Sequence, residues 1–188
     1  MLGSNFFRFS IKQHKQIKPA LMSAIAKMPN SDGGFEEQKI DGARTDYWYE
    51  GEILYRGIFI DSMNEIYNNL LKITGTDTLS SDFWYQQYTG NQYHDWHVHP
   101  KCQLSSVYFI DLPDPRDCTD FYDVKNRKVF KPKVEEGDVI VFPSYVPHRS
   151  GPLHGETKTI ISTNYNFEIN DDKEFLKDLK YDYLGNPV

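Results

Sequence analysis

The hydrophobic pattern of this chain changes period once, near residue 80. Before that point apolar positions recur at helical spacing. Ile17, Leu21, Ala24, Ile25 and Met28 fall three or four residues apart, Pro19 suits a first helical turn, and Pro29 ends the run. "NSDGGFEEQ" then reads as a loop. A second helix is expected from Ser62 to about Ile73. Ser62 and Glu65 form a capping-box pattern, Met63, Ile66, Leu70 and Ile73 share one face, and Gly75 is a stop signal. From Asp82 the chain is a series of short segments rich in β-branched and aromatic residues. "FWYQQYT", "LSSVYFIDL", "VIVFPSYV" and "TIISTNYNFEI" are each bounded by Gly, Pro or Asp and read as strands. The pattern implies a mainly β, jelly-roll core over residues 81–169. Residues 1–80 form a mainly helical flank in the same single domain, and 170–188 a charged tail with a short helix.

Composition narrows the setting. At 188 residues one domain with a proper core is expected, and aromatics at 15% supply rigid groups to fill it. The formal charge is −6, and no basic stripe marks a footprint for duplex nucleic acid. Cys102 and Cys118 make neither a disulfide framework nor a CxxC pair. No signal-peptide pattern opens the sequence and no apolar run reaches membrane-spanning length, so a reduced cytoplasmic setting is expected.

Chemistry concentrates in "QYHDWHVHP". Three of the six histidines, His94, His97 and His99, lie within six residues. On a strand, residues two apart point the same way, so His97 and His99 form a chelating pair. His94 falls on the other parity if the strand reaches that far; it and Asp95 read as residues behind the ligands or at the rim, with an ordinary structural place favoured for both. Two imidazoles cannot close a metal site, and the third ligand is expected from His148 in "EEGDVIVFPSYVPHRSG". There Glu136-Gly137-Asp138 is a turn, Val139 to Phe142 a buried strand, and the following loop presents His148. Three protein ligands with open positions is the arrangement of a catalytic metal site. His14 reads as a solvated residue in a lysine-rich helix start, and His154 as a loop tip.

Taken together, these segments resemble the 2-oxoglutarate and Fe(II)-dependent oxygenase superfamily over roughly Phe83 to Phe167. "HVH" stands where that family carries His-x-Asp/Glu. "SSVYFIDLPDPRDCTDFYD" is similar to the following strand and return, "VEEGDVIVFPSYVPH" to the segment ending in the distal histidine. Lys158 stands ten residues after His148, where the family has a basic residue. The set is similar to a small microbial and phage branch with an H-x-H-P-x-x-x-L-S-x-V-Y pattern, in which that basic residue is more often Arg. The resemblance implies a double-stranded β-helix with iron at one open end. It also implies 2-oxoglutarate and O₂ as co-substrates, with decarboxylation to succinate and hydroxylation of a second substrate.

His97, His99 and His148 would hold Fe(II), and Lys158 would meet the far carboxylate of 2-oxoglutarate. Tyr108, Ser162 and Asn164 could add polar contacts there. His99 departs from the family pattern. Either it replaces the usual carboxylate, as strand parity favours, or Asp95, Asp120 or a water completes the set. Trp84, Tyr85, Trp96 and Tyr145 are candidates for the substrate mouth. The substrate, a small molecule or a peptide, and the oligomeric state are not legible. Two other readings stand beside this one. One is a cupin-like three-His dioxygenase that dispenses with 2-oxoglutarate; the other is a non-catalytic jelly-roll binding module.

Overall fold

The computed structural model describes residues 6–30 and 43–167. The expected C-terminal tail and most of the "NSDGGFEEQ" loop lie outside the described residues. In chain order the elements are β1 (Phe7–Ser10), α1 (His14–Lys27), β2 (Arg44–Thr45), α2 (Arg56–Thr74), β3 (Ser80–Thr89), β4 (His94–His97) and β5 (Leu104–Asp111). After a short 3-10 turn come β6 (Asp120–Asp123), β7 (Lys128–Phe130), β8 (Asp138–Pro143), β9 (His148–Ser150) and β10 (Thr157–Asn166). Among the described residues no helix is long and apolar enough to cross a membrane.

The strands form two antiparallel sheets, ordered β1-β8-β5-β10-β3-β2 and β4-β9-β6-β7. Four strands of the first, β8-β5-β10-β3, face the four of the second as a double-stranded β-helix. β1 and β2 extend the larger sheet at its two edges. Both come from the part of the chain that reads as helical, and at four and two residues they are too short to set a period.

The larger sheet is buried on both faces. Leu21, Ile25, Phe59, Met63, Ile66 and Leu70 of the helices pack on Tyr85, Tyr108, Val139, Val141 and Ile161 of one face. The other face carries Tyr88, Val107, Phe109, Ile140, Phe142 and Ile160 against Phe121 and Val134. β8 alternates between these two cores, so its run of apolar residues serves both. Each fully buried Leu, Ile or Phe contributes about 1.5–3 kcal/mol of burial.

α2 begins six residues earlier than Ser62, so the capping-box reading fails there. Ser62 lies within the helix, and its hydroxyl donates to the Phe59 carbonyl at 2.7 Å. The Gly75 stop is real: its φ of 67° takes the left-handed conformation that ends the helix. Pro19 lies inside α1, not in its first turn. Among the described residues both cysteines are free.

Candidate metal centre and its cleft

The mouth of the β-helix carries the histidine cluster. β4 pairs with β9 and sets His97 directly opposite His148. β4 ends at His97, so His99 is placed by the segment after the strand and not by strand parity. Its backbone N–H donates to the Ser144 carbonyl at 3.0 Å, which ties it to the loop that presents His148. One nitrogen from each of His97, His99 and His148 lies within 4.8 Å of the others. The Nε2 atoms of His99 and His148 are 3.2 Å apart. Two ligand bonds of about 2.1 Å meeting near a right angle span roughly 3 Å, so this pair fits one ion.

Two of the three remaining ring nitrogens are held by backbone carbonyls. Nδ1 of His97 donates to the Asp95 carbonyl at 2.7 Å, and Nδ1 of His148 to the Val146 carbonyl at 2.9 Å. Those bonds put the proton on Nδ1 and leave the Nε2 lone pair for a metal. Burial, and crowding by the neighbouring imidazoles, lowers the pKa of His148 well below the ordinary value and that of His99 to about 4. Burial also lowers the pKa of His97. At neutral pH the cluster is therefore uncharged and ready to ligate.

The two alternative carboxylates are engaged elsewhere. Asp95 Oδ1 accepts from the Trp96 backbone N–H at 2.7 Å. Asp120 is buried and pairs with Arg149 at 2.8 Å and Lys131 at 3.1 Å.

His94 does not fall on the opposite parity: it stands beside His97. The β4–β9 register is irregular between His94 and His97, which turns both rings to one side. They stack 3.8 Å apart at 16°. His94 lines the same cleft as the triad, and burial beside the other imidazoles lowers its pKa to about 3.

Lys158 is fully buried below this cleft. Its ammonium donates to the Asp117 carbonyl at 2.9 Å and to the Ser150 hydroxyl, and lies 4.8 Å over the Tyr88 ring. Burial pushes its pKa down to about 8, against the nearby Asp117, which favours the charge. Tyr88, Ser150, Thr119 and Ser162 line the adjoining cleft wall. Ser162 and Asn164 follow Lys158 at strand period: Ser162 reaches the cleft, while Asn164 accepts a hydrogen bond from Ser105 at 3.0 Å.

Tyr108 is on the opposite face of the sheet, contrary to the sequence expectation. Its register partner is Ile161, and its hydroxyl bonds His14 Nδ1 at 2.7 Å in the helix-side core. His14 is accordingly buried, not solvated, with Nε2 3.2 Å from Glu136. Gly137, at φ +94°, passes so near His14 that a Cβ would come within 2.8 Å of the ring. His154 is held by Asp117, which accepts from its Nδ1 at 2.8 Å.

Of the aromatics, Trp84 lines the cleft, with its ring 5.9 Å from His99. Tyr85 points to the helix side. Trp96 is partly exposed under the Arg149 guanidinium, and Tyr145 is exposed. Gln86, Tyr88, Ser150 and Arg149 are cleft residues that sequence reading does not single out. A period-two count from Trp84 through Gln86 to Tyr88 is the signal that could have found two of them.

No family model matches the sequence, and no curated protein matches it. Solved structures do match. The prolyl-4-hydroxylase of Pseudomonas putida superposes with a TM-score of 0.64 at 12% identity, covering 87% of this chain and 93% of that one. A 2OG-Fe(II) oxygenase family oxidoreductase from Burkholderia pseudomallei gives 0.65 at 11% identity, over 87% and 86%. The chain has the fold of the 2-oxoglutarate and Fe(II)-dependent oxygenases. HygX of Streptomyces hygroscopicus, with nickel and 2-oxoglutarate bound, gives 0.61 at 12% identity over 88% and 84%.

Proposed function

We propose that this protein is a 2-oxoglutarate- and Fe(II)-dependent dioxygenase that hydroxylates a small-molecule or peptide substrate. The observation that carries the reading is the pairing of three convergent, neutral imidazoles with one buried ammonium directly behind Tyr88 and Ser150 of the adjoining wall. The donor set suits Fe(II): three nitrogen ligands leave open positions, and imidazole is an ordinary ligand for that ion. Lys158, with the Ser150 and Tyr88 hydroxyls beside it, suits a carboxylate, since its buried ammonium bonds only neutral oxygens and gains from an anion.

Bound iron and 2-oxoglutarate together would supply oxidation by O₂, with release of succinate and CO₂. The chain's own residues have separate tasks. His97, His99 and His148 hold the metal, and the carbonyls of Asp95 and Val146 orient His97 and His148. Lys158 anchors the far carboxylate as a point charge. Val107 and Ile160 line the cleft and keep water from its interior. Trp84 and Arg149 stand where a second substrate would enter.

The test is anaerobic addition of Fe(II) and then 2-oxoglutarate to metal-free protein. A visible charge-transfer band that needs both additions supports the reading. Iron binding without a band, combined with O₂ consumption in the absence of 2-oxoglutarate, supports the cupin-like alternative. One observation favours that alternative: Lys158 already has two oxygen partners within the fold. A protein that binds no iron is a binding module.

A further inference from the structure

We propose that His94 is a positioning residue that donates a hydrogen bond from Nε2 to the metal-chelating carboxylate of 2-oxoglutarate. The inference rests on the 2-oxoglutarate reading above. It starts from a buried relay that runs into the cleft. The Ser162 hydroxyl donates to Gln86 Oε1 at 3.0 Å. With its oxygen on Ser162, the Gln86 amide turns its NH₂ to His94 Nδ1 at 3.4 Å. Nδ1 then accepts, and the ring proton sits on Nε2. Gln86 and Ser162 are both buried, so the relay is shielded from competing water.

His97 and His148 cannot supply such a donor. The Nδ1 protons of His97 and His148 are engaged by the backbone carbonyls of Asp95 and Val146, and their Nε2 atoms face the metal position. His94 is protonated on the opposite nitrogen because its Nδ1 partner is a donor. Among the described residues its Nε2 has no protein partner. The stack on His97 fixes the plane of the ring, and the ring lines the same cleft. A neutral N–H donor is thus held beside the site where a dianion would chelate, next to a triad that brings no negative charge of its own.

The experiment uses the full chain, loaded anaerobically with Fe(II), and follows the charge-transfer band as 2-oxoglutarate is added. His94→Phe keeps a ring against His97 and removes the N–H. It is expected to weaken 2-oxoglutarate about tenfold or more and to shift the band, because a hydrogen bond to a charged group is lost. His94→Gln restores a donor and is expected to recover most of the affinity. Gln86→Leu, which frees the tautomer, should weaken 2-oxoglutarate by a smaller factor. Fe(II) affinity, read by competition with a chromophoric chelator, should stay within about threefold in all three, as expected when no ligand is removed. Wild-type midpoint and band position in His94→Phe would overturn the proposal, as would equal loss in His94→Phe and His94→Gln. A wild-type protein that gives no band overturns the 2-oxoglutarate reading itself, and the assignment of His94 with it.

Discussion

The Lys158 ammonium lies 4.8 Å over the ring of Tyr88, and the two residues are cross-strand partners in the β3–β10 ladder. The ring gives the cation an attractive face, and Asp117 and Ser150 give it oxygens, yet burial still lowers its pKa to about 8. Only the charged form can hold a carboxylate. Affinity for 2-oxoglutarate is therefore expected to be flat below pH 8 and to fall about tenfold per unit above it. Anaerobic titrations from pH 7 to 9.5 would show this, and Lys158→Met should bind weakly at every pH without the slope.

Without ligands the same residue makes stability depend on pH. Folded Lys158 releases its proton near pH 8, whereas the unfolded chain holds it to 10.5. Between those values the unfolded state binds more protons, so stability rises with pH. Above about pH 10 the buried Tyr55, Tyr88 and Tyr108 oppose the rise. Burial keeps them protonated in the fold after the unfolded chain ionises, and stability falls. Urea denaturation of the metal-free protein should show a gain of roughly 2–3 kcal/mol between pH 8 and 10. In Lys158→Met the gain should vanish, and at pH 7 that variant should be at least as stable as wild type.

What the sequence carries, and what it does not, follows from the physics of strands. β5, β8 and β10 are dense in β-branched and aromatic residues and are visible by composition. His148 follows a buried strand and a Pro-rich loop, and it reaches the His97–His99 pair once the β-helix places β9 beside β4. Which way a side chain on a doubly buried strand points is a different matter. Val107 and Tyr108 are buried neighbours, and only the pairing of Tyr108 with Ile161 assigns Tyr108 to the helix side. The irregularity between His94 and His97 defeats a parity count in the same way. β1 and β2 are edge strands whose hydrogen bonds come from partners distant in sequence, so no local pattern announces them.

Tyr108 supplies a prediction that separates the two faces of the sheet. Its hydroxyl is the partner of His14 Nδ1 at 2.7 Å, in a site where His14 is 5% exposed. Tyr108→Phe leaves a buried ring nitrogen unpaired, which costs about 1–3 kcal/mol. Thermal or urea unfolding should register that loss. The 2-oxoglutarate titration should be unchanged, because the hydroxyl faces the helices. A variant that kept its stability and lost 2-oxoglutarate would return Tyr108 to the cleft.

In the proposed ligand set, His99 sets the charge of the centre. Three neutral imidazoles leave a divalent ion with its full charge directed at the open positions, which favours a dianionic chelator. His99→Asp brings one negative charge to the ion at ligand distance. It is expected to tighten Fe(II) and to weaken 2-oxoglutarate, each by about tenfold, since charge added at one position is felt at the other. His99→Ala removes a ligand and should weaken Fe(II) at least as much as His148→Ala does. Chelator competition reads the metal, and the charge-transfer band reads the co-substrate. Wild-type iron affinity in His99→Ala would take His99 out of the ligand set. Asp95, Asp120 or a water would then have to serve; Asp95 already accepts from the Trp96 backbone N–H and Asp120 already pairs with Arg149 and Lys131.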